Sequence, residues 1–218
     1  MRYELLTLPR LSDTELTYRN RRVLQFPHPA YAWLGLRPAI AQHTAEEHGA
    51  FTRCAEGRAV IVEIGVAEGV SALAFREAMA LDGTLYLVDP FHLSRIQMLN
   101  FTKRTAHRLV SSSPRGKVVW RQQFSSEAVR NWKEPIDLLM IDGDHTESMV
   151  QKDWDDWSRF VVPGGLVAFH DARLFEGGWT SPSYGPVRVV DRLFRDGKNS
   201  AWEIVEEIDS LVVVKRNS

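Results

Sequence analysis

Polar residues stand where two predicted strands end, and their types are those that bind metal ions or move protons. Asp142 follows the apolar run Ile136–Ile141, and His170-Asp171 follow the run Leu166–Phe169. If these strands are neighbours in a parallel sheet, the two carboxylates stand side by side, roughly 5 Å apart. Two carboxylates at such a short distance must share a proton, stay solvated or bind a cation. Mg²⁺ is a suitable cation for such a site. The simpler alternative is an Asp-Gly turn after one strand and a loop-capping Asp after the other.

His145 lies three residues beyond Asp142, on the same predicted edge of the sheet. Imidazole titrates near neutral pH, so His145 is a candidate general base. The alternative is an ordinary solvated or capping histidine.

A loop with two glycines follows the first predicted strand and reads Glu63-Ile64-Gly65-Val66-Ala67-Glu68-Gly69-Val70-Ser71. Gly65 and Gly69 allow the backbone to turn sharply and approach a ligand. Ser71 lies in the first turn of a helix, where free amides favour a carboxylate or phosphate. The spacing differs from the G-x-G-x-x-G of dinucleotide enzymes, which disfavours NAD-dependent redox chemistry. An ordinary tight turn between strand and helix is the alternative.

Two more strand ends supply candidate contacts to a nucleoside. Asp89 ends the second strand, where a carboxylate can accept both ribose hydroxyls. After the third strand, Gln123 or Ser125 can hydrogen-bond the edge of an adenine, whereas Ser126 can simply cap a short helix.

Strands and helices alternate along most of the chain, and this alternation must bring the strand ends together. Thr44-Ala45-Glu46-Glu47 is a capping box that predicts a helix start. Hydrophobic spacing predicts strands at 59–64, 84–88, 117–121, 136–141 and 166–169, and helices at 44–56, 70–81, 94–110, 126–132 and 187–194. A further helix carries the stripe Val150, Trp154, Trp157 and Val161 and ends at Pro163-Gly164-Gly165, and residues 202–214 form a hairpin.

Five strand–helix alternations predict an α/β fold, with a mostly parallel sheet and helices on both faces. The terminal hairpin adds an antiparallel edge. Ligands bind beyond the carboxyl ends of the strands in such folds, where the candidate residues stand. Trp154 and Trp157 are predicted to be core, and the acidic residues Asp153, Asp155 and Asp156 are predicted to form a solvated helix face.

Composition limits the class of protein. The 218 residues carry 27 Lys and Arg against 28 Asp and Glu, a net charge of −1, and 44% are hydrophobic. This balance fits one globular domain and disfavours nucleic acid as the main partner. We see no apolar run of membrane-spanning length and no secretory signal. Cys54 is the single cysteine, so we expect no internal disulfide and a reducing, cytoplasmic location.

Over about residues 44–215, the motifs resemble the class I S-adenosylmethionine (SAM)-dependent methyltransferases. The resemblance rests on Glu63–Gly69, Asp89, Ile141–His145, Pro163-Gly164-Gly165, His170-Asp171 and the terminal hairpin. It implies a Rossmann-like, seven-stranded sheet in the order 3-2-1-4-5-7-6. It also implies that SAM is bound by Glu63, Gly65, Gly69, Ser71, Asp89, Gln123 and Ser125.

Within that class, the segments IDGDH, PGG and HD resemble the small metal-dependent O-methyltransferases that act on macrolide sugars, aminocoumarin sugars and mannose oligosaccharides. The resemblance implies that Asp142, His170 and Asp171 hold Mg²⁺ and that His145 is the catalytic base. His170 departs from the family pattern, which has an acid at this position. Because imidazole is a softer ligand than carboxylate, the metal is then one such as Mn²⁺, or water replaces the imidazole, or no metal binds.

Two segments are expected to border the acceptor. Residues 1–43 are predicted to be an N-terminal arm that serves as a lid or a dimer contact, outside the SAM-binding domain at 44–218. The loop from Arg173 to Pro186 is long enough for a lid, and its Trp179 and Tyr184 can stack on a sugar. A packing arm and an ordinary surface loop are the alternatives.

The expected activity is methylation of a hydroxyl on a sugar or small glycoside. The expected partner is a small carbohydrate acceptor, and neither nucleic acid nor a membrane is expected as a partner. A homodimer is the expected assembly. Three alternatives remain: a catechol-type phenol acceptor, NAD-dependent redox chemistry, or a SAM-binding domain that regulates a partner without catalysis.

Overall fold

The computed structural model describes residues 28–91, 100–196 and 199–218. Its strands are β1 (Val60–Ile64), β2 (Thr84–Val88), β3 (Lys117–Arg121), β4 (Ile136–Ile141), β5 (Val161–Phe169), β6 (Trp202–Ile208) and β7 (Leu211–Arg216). Its α-helices are α1 (His28–Leu34), α2 (Ala45–Ala55), α3 (Val70–Ala78), α4 (Phe101–Val110), α5 (Ser125–Ala128), α6 (Glu147–Trp157) and α7 (Gly185–Val190).

The seven strands form one sheet in the order β3-β2-β1-β4-β5-β7-β6, as the resemblance implied. Strands β1 to β5 pair in parallel, whereas β7 runs antiparallel to both β5 and β6. Because Val212 of β7 pairs with Phe169 of β5, the turn between β6 and β7 lies at the carboxyl end of β5. The turn of the hairpin therefore lies beside the candidate residues at the carboxyl ends of the parallel strands.

The core consists of two layers, one on each face of the sheet. Alternate residues of a strand face opposite layers, so that Ile61 packs with α2 and α3 while Val62 packs with α6. Trp154 and Trp157 are buried in the second layer, as predicted.

The join between α6 and β5 differs from the prediction. The helix ends at Trp157, a short 3₁₀ turn follows, and Val161 pairs with Ile136 at the start of β5. Pro163-Gly164-Gly165 therefore lies inside β5, at a register shift against β4, and does not end the helix. The prediction of a solvated face on α6 is also wrong at Asp153, which is buried and whose carboxylate accepts a hydrogen bond from Ser125.

Helices α3 and α5 are shorter than predicted. α3 ends at Ala78 because the Ala80 amide bonds the Arg58 carbonyl instead of continuing the helix. α5 covers only four residues, and α4 is described from Phe101. The rest of the predicted helix at 94–110 falls on residues 92–99, outside the described ranges.

Of the predicted arm, α1 packs against α4. Trp33 contacts Phe101 at 5.6 Å between ring centroids, and Arg108 donates a hydrogen bond to the Trp33 carbonyl. Residues 1–27 lie outside the described part, so the lid and dimer contact remain predictions. In the described ranges, we find no helix with the length and apolar character needed to cross a membrane.

Candidate active site

A cavity of about 570 Å³ opens at the carboxyl ends of β1, β2 and β4, a size typical of small-molecule sites. Five residues predicted to bind the cofactor line it: Gly65, Gly69, Ser71, Asp89 and Ser125. Asp142 and His145 lie in the same wall, so the donor cavity and the candidate chemistry share one surface. Glu63 and Gln123, also predicted to bind the cofactor, lie outside the lining.

Asp89 joins the end of β2 to the glycine loop. Its Oδ2 accepts hydrogen bonds from the amides of Val66 (2.9 Å) and Ala67 (3.2 Å), and its Oδ1 accepts one from Phe91 (2.7 Å). Each carboxylate oxygen keeps further acceptor capacity, so Asp89 can still receive the hydroxyls of a ribose.

Gly65 brings the loop after β1 against the loop after β4. Its φ is +88°, and a Cβ at this position would stand 2.1 Å from the carbonyl oxygen of Asp142. Only glycine satisfies both the backbone conformation and the lack of space. This close approach positions Asp142 relative to the donor cavity.

Glu63 lies beneath the loop and accepts a hydrogen bond from Ser71. Burial raises the pKa of its carboxyl well above the usual value, and the charges of Asp142 and Asp89 raise it further. Its position favours a role in supporting Ser71 over direct contact with the ligand.

Ser125 and Phe124 form the wall beside β3. The hydroxyl of Ser125 donates to Asp153 at 2.5 Å, so toward an adenine it can act only as an acceptor. Phe124 is half exposed and lines the cavity. Sequence reasoning missed this aromatic, although an apolar ring directly after a strand end was the available signal.

Asp142, His145, His170 and Asp171 come together, as their positions at the ends of β4 and β5 predicted. Asp142 Oδ1 lies 3.2 Å from both His145 Nε2 and His170 Nδ1. Asp171 Oδ1 lies 3.3 Å from His170 Nδ1, and Asp171 Oδ2 lies 3.3 Å from His145 Nδ1. Ligand atoms of Asp142, His170 and Asp171 all lie within 4.8 Å of one another. This donor set can hold a divalent ion.

The charges in this cluster depend on one another. Burial by itself would lower the pKa of His170, but the negative charges of Asp142 and Asp171 outweigh it and hold the pKa well above the ordinary value. For Asp142 burial acts to raise the pKa, and the neighbouring His170 and His145 outweigh it, so the pKa is lowered. In the metal-free protein, the carboxylates and the His170 imidazolium therefore stabilise each other.

Glu47 lies behind His170, completely buried at the start of α2. Its Oε2 is 3.3 Å from His170 Nε2, and its Oε1 accepts hydrogen bonds from the amide (2.8 Å) and hydroxyl (2.6 Å) of Ser210. Sequence reasoning identified Glu47 only as part of a capping box, which does exist, with Thr44 as its partner. The contacts of Glu47 with His170 and Ser210 depend on β5 and on the turn between β6 and β7. Both are distant in sequence, so no local pattern reveals these contacts.

Two aromatic residues of the loop after β5 lie beside the cluster. The indole nitrogen of Trp179 donates to Asp171 Oδ1 at 2.6 Å, and the ring of Tyr184 lies 5.9 Å from that of His145. The loop therefore bears directly on the candidate base and on one candidate metal ligand.

A short segment of the predicted arm also lines the cavity, through Ile40, Gln42 and His43. The Ile40 amide donates to Glu68 Oε2 at 2.7 Å, which holds this segment against the glycine loop. Burial, with the nearby charges of His170 and His48, lowers the pKa of His43 to about 3, so its imidazole is neutral. The boundary predicted at residue 43 cuts through the wall of this cavity.

Asp153→Asn should stabilise the ligand-free protein above pH 6. Burial raises the pKa of Asp153 to about 6 from 3.8, so the folded state holds this proton more tightly than the unfolded chain. Ionisation of Asp153 therefore destabilises the wild type, whereas the Asn variant escapes this cost. The cost is absent below about pH 4, grows between pH 4 and 6, and stays near its maximum of about 3 kcal/mol above pH 6. Urea denaturation across pH 4–8 measures the difference, with the exposed Asp155→Asn on the same helix as control. A stability difference that does not vary with pH would contradict this assignment.

Comparison with known proteins gives a family and a fold. A family model described as "Methyltransferase domain" matches residues 62–172, or 111 of the 218 residues. A solved Corynebacterium glutamicum protein is 16% identical, with a TM-score of 0.61 over 94% of each chain. The O-methyltransferase TomG from Streptomyces achromogenes, involved in tomaymycin synthesis and solved with SAM, is 14% identical, with a TM-score of 0.61 over 87% of this chain and 88% of its own.

A third structure, the N-methyltransferase NodS from Bradyrhizobium japonicum with S-adenosyl-L-homocysteine, is 14% identical. Its TM-score is 0.52, over 79% of this chain and 87% of its own. At such identities these structures share a fold with the chain, and they differ among themselves in the atom that is methylated.

Proposed function

This chain belongs to the methyltransferase domain family, and we propose that it transfers the methyl group of SAM to a hydroxyl of a sugar or small glycoside with the help of a divalent metal ion. One observation carries the proposal: Asp142 and His145 line the donor-sized cavity and also contact the buried His170 and Asp171 behind them. A methyl donor in the cavity would place its reactive group within reach of a base and of a charged, metal-binding site.

Binding of the donor is supported by the residues around the cavity and by the neighbours. TomG was solved with SAM and NodS with S-adenosyl-L-homocysteine, and both share the fold. In the proposed complex Asp89 receives the ribose hydroxyls. The amino end of α3, which begins after Gly69, faces the donor's carboxylate.

The residues present fit a divalent ion. Two carboxylates and one imidazole offer oxygen and nitrogen ligand atoms within 4.8 Å of one another, which suits Mg²⁺ or, with the imidazole, Mn²⁺. A divalent ion held there supplies a positive charge that makes an alcohol hydroxyl more acidic.

His145 is the proposed base. Its ring nitrogens Nε2 and Nδ1 lie 3.2 Å from Asp142 and 3.3 Å from Asp171, which hold the ring beside the candidate metal site, where it would take the hydroxyl proton. The acceptor oxygen then forms a bond to the methyl carbon as the bond from that carbon to the donor sulfur breaks, leaving S-adenosyl-L-homocysteine. Alignment of donor and acceptor in one cavity contributes much of the rate.

A carbohydrate acceptor is supported by the aromatic loop beside the cluster. Trp179 and Tyr184 offer ring faces near His145 and Asp171, and such faces can pack against the apolar face of a sugar. The near-zero net charge gives no long-range attraction for a polyanionic acceptor. O-methylation also agrees with the activity of TomG.

Methyl transfer to two panels of acceptors tests the proposal. The purified protein is incubated with radiolabelled SAM and Mg²⁺ or Mn²⁺, against sugars and glycosides in one panel and catechols in the other. We expect label in the sugar panel and its loss in excess EDTA. Transfer only to catechols would show that the acceptor is a phenol and not a sugar. Full activity in EDTA would contradict the proposed role of a divalent metal ion. SAM binding without transfer to any acceptor would favour a regulatory domain.

A further inference from the structure

Both oxygens of the Glu47 carboxylate accept hydrogen bonds from neighbouring groups. A carboxylate that already accepts hydrogen bonds at both oxygens also acts as an acceptor toward a further neighbour. Oε1 receives both hydrogens of Ser210, and Oε2 receives the Thr44 amide at 2.9 Å. The hydrogen on His170 Nε2 therefore points at Oε2, 3.3 Å away.

The opposite nitrogen of the same ring faces the two candidate metal-ligating carboxylates. His170 Nδ1 lies 3.2 Å from Asp142 Oδ1 and 3.3 Å from Asp171 Oδ1. A divalent ion bound there would replace the Nδ1 hydrogen of the imidazolium, while Glu47 keeps the other hydrogen at Nε2, so the Nδ1 lone pair would face the ion. A carboxylate on the far nitrogen of a histidine fixes its tautomer, orients its ring and makes it a stronger ligand.

We propose that Glu47 is a positioning residue for a divalent metal ion, which it serves by holding His170 with Nδ1 toward Asp142 and Asp171. The inference rests on the proposed function, of which it specifies the metal site. It also favours a metal that accepts nitrogen ligands: an imidazole strengthened in this way suits Mn²⁺ better than Mg²⁺. The helix start at Thr44 is thereby part of the site and not only a local stop signal.

The anchoring of Glu47 supports this role. Thr44, whose hydroxyl accepts the Glu47 amide, itself donates to Asp209 Oδ2 at 2.6 Å. The start of α2 is thus bound to the turn between β6 and β7 from both residues of the capping box. A carboxylate fixed by two elements, and completely buried, holds the ring of His170 with little freedom.

Mn²⁺ affinity of the full-length protein, without acceptor, tests the proposal. Free Mn²⁺ is measured by electron paramagnetic resonance, and calorimetry gives the Mn²⁺ and Mg²⁺ dissociation constants separately. We expect Glu47→Gln to weaken Mn²⁺ binding by about 10- to 100-fold, while SAM affinity stays unchanged. Glu46→Gln makes the same change on the exposed neighbouring position and should leave Mn²⁺ affinity as in the wild type.

A double-mutant cycle separates positioning from general stability. In a His170→Asp background the metal keeps an oxygen ligand but loses the ring that Glu47 holds, so the further change Glu47→Gln should no longer weaken Mn²⁺ binding. If Glu47→Gln weakens Mn²⁺ binding equally in both backgrounds, the proposal is overturned. The substitution would then act through the fold and not through His170.

Each remaining outcome has a defined meaning. Wild-type affinity in Glu47→Gln overturns the positioning role and leaves the proposed function intact. No Mn²⁺ or Mg²⁺ binding by the wild type overturns the positioning role and the metal together, while SAM titration and methyl transfer still report on the donor. If Glu47→Gln does not fold, Glu47→Asp retains the charge but draws it back from His170, and unchanged Mn²⁺ affinity in that variant counts against the proposal.

Discussion

Asp142→Ala and His145→Ala should each reduce methyl transfer by at least about 100-fold, the usual contribution of a positioned base or charged group. The two residues lie 3.2 Å apart, and Asp142 also contacts His170. Asp142→Ala removes a proposed metal ligand and a contact that holds the ring of His145, and His145→Ala removes the proposed base itself. Single-turnover transfer with saturating SAM measures the loss.

Donor binding separates this effect from a damaged cavity. SAM affinity, measured by calorimetry, should stay within about threefold of the wild type, because the glycine loop and Asp89 are untouched. Asp155→Ala, an exposed change on α6, is the matched control and should leave transfer unaffected. Wild-type transfer by His145→Ala would show that another group, or solvent, takes the proton.

Gly65→Ala should lower the free energy of unfolding by about 2–5 kcal/mol, because a steric clash adds to the strain of a left-handed backbone. The new Cβ would stand 2.1 Å from the Asp142 carbonyl oxygen and 2.9 Å from the Gly143 amide nitrogen. Because both contacts are backbone, the loops after β1 and β4 must separate. Urea denaturation measures the stability loss, and SAM binding should fall with it.

Gly57→Ala isolates the clash from the backbone strain. Gly57 also has a positive φ, +68°, but a Cβ added at this position would meet nothing within 4 Å. This variant should lose only about 1 kcal/mol. Equal losses in the two variants would mean that the contact between the two loops contributes nothing measurable.

Most of the sheet could be predicted because its strands are short, apolar and bounded by turn residues. The predicted bounds of the strands at 84–88, 117–121 and 136–141 agree with the structure to the residue. The parallel arrangement follows from the alternation, and the strand order from the family resemblance. Together they explain why Asp142 and His170-Asp171 were expected to meet.

The errors have a common physical origin in tertiary contacts. Asp153 was predicted to be solvated because its neighbours in sequence are acidic, but it lies where α6 packs against α5, and Ser125 of α5 donates a hydrogen bond to its carboxylate. β5 begins earlier than predicted because pairing with Ile136 outweighs the Pro-Gly-Gly signal. Glu47 and the segment around Ile40 gain their positions from residues more than 25 places away in the chain.

Strand β7 follows the other six strands in sequence, yet it is an interior strand that lies between β5 and β6. A nascent polypeptide that has already released all four residues of the cluster still lacks Ser210, the donor of two hydrogen bonds to Glu47. The pairing of β7 with β5 spans more than 40 residues and closes the sheet. The hydrogen bonds that hold Glu47 are thus complete only after β7 has been synthesised and has paired with β5.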